Sequence, residues 1–336
     1  MKNKTLLLLL GLFFFSACKK ENRTNTFSFP QEIKLDVKTE INFDEIGPLI
    51  NPLDLYMKND YLFISSSKTD SILYIYSLPD IKYINSYGRQ GAGPDEFGGC
   101  FCFCKSSNNF IYFKGYSNPM QIGSYKVDKN GSPIIQQRYK LKHAVMTNFV
   151  SILNDSIYLY FDIDQLTIVQ VNLKNGKKIR DLKLEKDDHK EPYFYSNQGV
   201  LASNGNSIVY TYSYKKQIDI YDINLSLKKT IIWDYKNIKP TVGDFDNAIH
   251  HYLNVYAGEK YFYALYSGMS EKSNSKTPQK NYSLEVYDYD GNPVIKYALE
   301  KIPVSFTVDE KRGLLYGFDY RNEGVFYVYE MKGLKF

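Results

Sequence analysis

The chain has 336 residues, 32 of them Tyr and 21 Phe, with a hydrophobic fraction of 43%, enough to bury one large core or two modest ones. Only 8 residues are Ala, the best helix former, whereas Tyr, Phe, Ile and Val favour pleated surfaces; this argues against a Rossmann enzyme, a helical bundle and a disordered scaffold. The formal charge is +5, and setting aside Lys2 and Lys4 of the leader leaves 40 basic against 37 acidic side chains, or +3, interspersed without the basic stripe that nucleic-acid binding requires.

Met1 to Lys4 is a short basic segment, followed by an apolar run from Leu6 to Phe15 broken only by Gly11. A bilayer-spanning helix needs about 20 apolar residues, so this run reads as the core of a secretory signal peptide. It ends in Phe15-Ser16-Ala17-Cys18, which resembles a bacterial lipobox, although Phe15 stands where Leu is usual. Residues 1–17 are therefore expected to be a lipoprotein leader, with Cys18 as the site of lipid attachment; the alternative is an ordinary signal peptide with an incidental cysteine. Residues 18–30 are polar and rich in Asn and Thr without periodicity, and read as a flexible tether.

The segment Glu32 to Phe43 reads as one strand without a complete repeat around it. Beyond it, a turn followed by a short apolar strand recurs six times. The copies begin at Asn59, Asn108, Asn154, Gly205, Gly258 and Lys311, spaced by 49, 46, 51, 53 and 53 residues. A second alternating strand follows each, as in Ile218-Asp219-Ile220-Tyr221-Asp222 and Leu284-Glu285-Val286-Tyr287-Asp288. Asn175-Gly176 and Asp290-Gly291 supply the positive φ that two-residue hairpins need. A period near fifty with about four strands is the signature of propeller blades. The fold expected for residues 31–336 is thus an all-β, six-bladed propeller with four-stranded blades, in which the N-terminal strand completes the last blade and removes two exposed edges. A pair of β-sandwich domains is the competing architecture.

Between the first two copies lies Tyr87-Gly88-Arg89-Gln90-Gly91-Ala92-Gly93-Pro94-Asp95-Glu96-Phe97. A phosphate-loop reading fails, because neither a Lys-Ser/Thr pair nor an amphipathic helix follows. The segment instead resembles the inter-blade loop of NHL-type propellers. With the lipobox and the fifty-residue period, the chain resembles the TolB-like six-bladed propeller lipoproteins of Bacteroides-type bacteria. The resemblance implies a lipid-anchored protein of the cell envelope, in the outer membrane and facing the periplasm or the surface. It brings no catalytic residues.

Cys100, Cys102 and Cys104 alternate with Phe101 and Phe103, which places three thiols on one strand face, nearly 7 Å apart and so poorly spaced for chelation or disulfides. Burial as small hydrophobes is the expected role. His250 follows Gly243-Asp244-Phe245-Asp246-Asn247, so Asp244, Asp246 and His250 form a candidate divalent-cation set, against the alternative of a polar surface loop. Asp187-Asp188-His189-Lys190-Glu191 reads as a solvated connector. Most Tyr are expected in the core, with a minority free to form a binding platform. No nucleophile elbow, His-Glu-x-x-His or EF-hand loop is present. The expected function is a binding or interaction module for a protein or glycan partner, with the membrane reached only through the lipid, no nucleic acid, no catalytic or cofactor-binding residues, and no cofactor other than the candidate cation. The alternative is a propeller enzyme with a metal-dependent hydrolase or lyase site at the channel mouth.

Overall fold

The structure is a computed structural model that describes residues 28–45, 47, 51–67, 70–91, 96–97, 101–115, 121–141, 149–186, 195–233, 247–270, 272, 282–319 and 324–336. The leader, Cys18, Cys100, Asp244 and Asp246 lie outside the described residues. The chain runs β1 (Glu32–Leu35), β2 (Val37–Asn42), β3 (Pro52–Lys58), β4 (Tyr61–Ser66), β5 (Ser71–Ser77), β6 (Lys82–Gln90) and β7 (Glu96–Phe97). It continues with β8 (Phe101–Ser106), β9 (Ile111–Gly115), β10 (Gln121–Val127), β11 (Pro133–Lys140), β12 (Val150–Leu153), β13 (Ile157–Asp162), β14 (Thr167–Asn172) and β15 (Lys178–Lys183). Then come β16 (Gly199–Ser203), β17 (Ser207–Tyr212), β18 (Gln217–Asp222), β19 (Leu227–Ile232), β20 (Ile249–Ala257), β21 (Tyr261–Ser270), β22 (Ser283–Asp288), β23 (Pro293–Leu299), β24 (Ser305–Asp309), β25 (Leu314–Phe318) and β26 (Val325–Glu330).

The fold is an all-β propeller. Its sheets are antiparallel meanders whose middle strands are covered on both faces, so they read as unbroken apolar runs. β17 is buried along its whole length, whereas the outermost β19 of the same sheet exposes Leu227, Lys228 and Lys229. Charged side chains on such outer strands discourage edge-to-edge pairing. Among the described residues the strands fall into five hydrogen-bonded sheets rather than six separate four-stranded ones. Two have four strands (β16 to β19, and β24 to β26 with β2) and two have five. The remaining sheet has eight, because β8 and β12 pair in parallel at Ser151↔Lys105 and Ile152↔Ser106. The strands β3, β8, β12, β16, β20 and β24 touch one another in that order, and β24 touches β3.

The segment Glu32 to Phe43, read as one strand, is two. β1 lies parallel to β23 as a fifth strand, while β2 lies antiparallel to β26 in the next sheet. Apolar alternation continues unbroken through Asp36, so nothing in the local pattern marks the change of partner. Phe29, placed in the tether by sequence, stacks on Trp233 at 4.9 Å and meets Tyr287 edge-on at 5.4 Å.

The hairpins between third and fourth strands are longer than the two-residue turns expected. In the β22–β23 turn, Asp288 N donates to Asn292 O (3.1 Å), and Gly291 N to Asp288 O (3.1 Å) with Gly291 at φ +83°. This three-residue loop needs one positive φ, and the register slips by one residue between Val286 and Tyr287. The same device recurs in β18–β19, with Leu225 at φ +64° and a slip between Ile220 and Tyr221.

Tyr dominates the core as the composition implies: eleven of the twelve largest fully buried side chains are Tyr. Apolar residues fill the space between consecutive sheets. Leu55, Ile64 and Tyr76 of the first sheet pack with Phe318 and Phe326 of the last, alongside Phe43. Cys102 and Cys104 are buried with Tyr112, Ile152 and Tyr158, the small-hydrophobe role expected of them.

Candidate functional site

Each copy of the repeat begins at the turn joining the first and second strands of a sheet, and these turns gather at one end of the propeller. There they surround a cavity of about 650 Å³, within the range of small-molecule sites. Its lining comes from Tyr56 to Asp60, Lys105 to Ser107 with Asn109, Ser203 and Asn204, Tyr256 to Glu259, and Val308 to Arg312. Five of the six turns of the repeat thus build one site.

Polar side chains stitch these turns to one another. Glu310 Oε2 accepts from the amides of Glu259 (2.9 Å) and Lys260 (3.0 Å), and Oε1 from the Tyr261 amide (3.1 Å) and the Tyr263 hydroxyl (2.9 Å). Arg312 pairs with Asp309 Oδ2 at 2.6 Å and with Asp60 of the first sheet. Those two carboxylates push the guanidinium up from its ordinary value, and Arg312 in turn holds Asp60 below the usual carboxylate range. Asn108 reaches Asp155 of the next turn, and Lys58 Nζ donates to Ser106 O at 3.3 Å. A Cβ on Gly258 would overlap Glu310 Oε1 and come within 3.0 Å of Tyr261 O. Gly258→Ala is therefore expected to displace the Glu310 carboxylate and cost about 1–3 kcal/mol, read from the urea midpoint of the purified protein.

Titratable groups stand on the cavity wall and behind it: Lys58 and Lys105 line it, and Asp54, outside the lining, acts on Lys105. Asp54 accepts from the amides of Leu55 (Oδ1, 2.9 Å) and Phe103 (Oδ2, 3.3 Å); burial raises its carboxyl above the usual range, opposed by the Lys105 ammonium and these amides. Lys105 Nζ lies 5.1 Å from the centre of the Tyr256 ring. Burial pushes Lys105 down from the ordinary lysine value, partly offset by Asp54. Lys58 is lowered for the same reason, offset by Glu259 and Asp155. Tyr56 holds its hydroxyl on Ser106 O (2.9 Å), which fixes the wall between the first two turns.

A second polar cluster is wholly structural in its contacts. Glu285 is fully buried; its Oε2 accepts from the hydroxyls of Tyr252 (2.9 Å) and Tyr287 (2.7 Å), and its Oε1 lies 3.3 Å from Lys216 Nζ. The Lys216 ammonium sits 4.3 Å from the Tyr266 ring centre and 4.8 Å from that of Trp233. The equivalent position of the preceding sheet is Asp219, which takes the hydroxyls of Tyr212 (2.5 Å) and Tyr221 (3.1 Å) on Oδ2.

Of the candidate cation set, only His250 is described. It stands at the start of β20, 5.3 Å from the Tyr214 ring centre, whereas the cavity is lined by the other end of that strand. Seven extended residues separate the two, roughly 20 Å. Among the described residues no group of three His, Cys, Asp or Glu could hold a metal ion. The adjacent His251 is held neutral down to about 4, chiefly by burial, with the Lys216 ammonium adding to the effect. The cavity residues escaped the sequence reading because each is an ordinary turn residue in its own copy. The available signal was the Lys at the end of a first strand in two copies, Lys58 and Lys105.

In the loop from Tyr87 to Phe97, β7 folds back parallel to β6 at Arg89↔Glu96 and Gln90↔Phe97. A Cβ on Gly91 would meet only the carboxylate of the exposed Glu96, which could swing aside.

No curated protein sequence matches the chain. Among solved structures, the β-propeller domain of Myceliophteria thermophila Cps50 (Swd1) superposes with a TM-score of 0.53 at 11% identity, covering 89% of this chain and 100% of that one. A Bacteroides fragilis protein described as exported gives 0.51 at 14% identity, covering 89% and 98%. Chaetomium thermophilum Raptor gives 0.50 at 14% identity over 85% of this chain, which spans about a quarter (24%) of the Raptor chain. These likenesses establish the fold. Residues 48–311 match the family described as TolB-like 6-blade propeller-like, and with that match over most of the chain, on strands that meander outward from a cycle of touching inner strands, the protein belongs to this family.

Proposed function

We propose that this protein is a lipid-anchored envelope module that binds a glycan in the turn-lined cavity of a six-bladed ring. The observation that carries the reading is the convergence of turns from separate repeats on one polar cavity of about 650 Å³. The eight-stranded sheet then counts as two blades joined at one parallel contact, and β2 closes the ring against β26. A concave, half-open seat with Ser106, Ser107, Asn109 and Asn204 on its walls, and with Tyr56 and Tyr256 beside them, suits a saccharide end better than the flatter, more apolar core of a protein interface. The leader and lipobox support export and attachment at Cys18, and the exported Bacteroides fragilis protein of the same fold agrees with that compartment.

The test is binding of the mature protein to an immobilised panel of oligosaccharides and of peptides. Asn109 is exposed at the rim, so Asn109→Trp is expected to abolish binding while leaving the melting temperature unchanged. Binding that survives this substitution, or that is confined to peptides, would overturn the glycan reading. Cys18→Ala is expected to move the protein from the membrane fraction to the soluble one, and unchanged partitioning would overturn the anchor.

A further inference from the structure

The cavity treats its carboxylates and its lysines differently. Of the lining carboxylates, Glu310 takes three amides and a hydroxyl, Asp60 and Asp309 take Arg312, and Glu259 is exposed to solvent; behind the lining, Asp54 takes the amides of Leu55 and Phe103, and Asp155 the Asn108 side chain. Arg312 is consumed by Asp60 and Asp309. Lys58 and Lys105 are left short. An ammonium offers three donors. Lys58 places one on Ser106 O at 3.3 Å, and Lys105 faces the Tyr256 ring at 5.1 Å; among the described residues neither forms an ion pair. Both are half-buried, which disfavours their charge unless an anion arrives.

The charge such an anion carries is bounded by its surroundings. Asp54 acts on Lys105, and Glu259 and Asp155 act on Lys58, so part of the charge of the two ammoniums is already offset and a single anionic group is enough to complete the balance. We infer that the saccharide taken by this cavity is acidic, a uronate-bearing glycan whose carboxylate sits against Lys58 and Lys105 with the Tyr256 ring as a side wall. This inference rests on the glycan reading and refines it.

The experiment uses the mature protein and calorimetric titration with matched oligosaccharides, oligogalacturonate against neutral oligogalactose and cellobiouronate against cellobiose, chosen from the hits of an array containing both kinds. The expected result is uronate binding at least about tenfold tighter than its neutral match, weakened by added salt, and reduced about tenfold or more by Lys58→Met and by Lys105→Met. Lys105 is half-buried, so Lys105→Arg accompanies it as a variant that keeps the charge and is expected to retain binding. Neutral oligosaccharides bound as tightly as acidic ones, or affinity unmoved by Lys58→Met, would overturn the acidic assignment while leaving a saccharide site. Acetate or inorganic sulfate competing as well as the oligouronate would show a bare anion seat and also overturn it. Failure of every saccharide, neutral and acidic, would overturn the glycan reading itself.

Discussion

Deletion of residues 31–42 is expected to abolish cooperative folding and to drive the protein into aggregates on size-exclusion chromatography. The deletion removes β1 and β2, which lie on two different sheets. Leu35 is 1% exposed and packs with Leu299 and Tyr329, while Ile33, Val37 and Ile41 are half-buried against the same two clusters. Burying Leu35 contributes roughly 1.5–3 kcal/mol and the three partly buried side chains about half as much each, about 5 kcal/mol together. That is comparable with the whole stability of a typical domain, about 5–15 kcal/mol. The exposed edge of β26 would add to the damage, since Phe326, Tyr327, Val328 and Tyr329 form an apolar β segment with unpaired backbone groups on one side. Two point variants separate the contributions. Leu35→Ala is expected to cost about 2–5 kcal/mol through the β23 side, and Ile41→Asp less, through the β26 side. A deletion variant melting in two-state fashion within about 1 kcal/mol of the full chain would show that the N-terminal strands are dispensable.

The strands that this segment braces were readable because the repeat is written in turn-bounded apolar strands, from Asn59 onward through Lys311. The division of the segment was not. Ile33, Leu35 and Val37 keep strict alternation across Asp36, and only the edges of two neighbouring sheets decide which half pairs where. The hairpins were legible in position but not in turn type, because the one-residue slip beside Tyr221 and Tyr287 depends on the partner strand. The cavity was hidden for a different reason. Lys105 and Tyr256 stand 151 positions apart, and Lys58 and Ser106 nearly one repeat apart, so no local window contains the site. Adjacent histidines are conspicuous in a chain with four, yet His250 and His251 fall at the far end of β20.

Lys216→Met is expected to cost about 3–5 kcal/mol, more than Glu285→Ala, with each compared by chemical denaturation at one pH. Glu285 is fully buried on β22, and Lys216 reaches it from the turn between β17 and β18, so the pair ties two successive sheets. Removing the lysine leaves a carboxylate with no counter-ion, stabilised only by the hydroxyls of Tyr252 and Tyr287. Removing the carboxylate instead leaves an ammonium that is 24% exposed and still faces the rings of Trp233 and Tyr266, so water and the aromatic faces take up part of the loss. What Glu285→Ala forfeits is chiefly the acceptor for two buried tyrosine hydroxyls, about 2–3 kcal/mol. The double substitution Lys216→Met with Glu285→Leu is then expected to regain most of the stability lost by Lys216→Met alone, because an apolar pair of similar volume removes both desolvation penalties at once. If both single variants cost under about 1 kcal/mol, the pair is solvated in solution and the two sheets are held by their apolar contacts alone; if the double variant costs the sum of the singles, the aromatic slot between Trp233 and Tyr266 is specific for a cation and not merely for a long side chain.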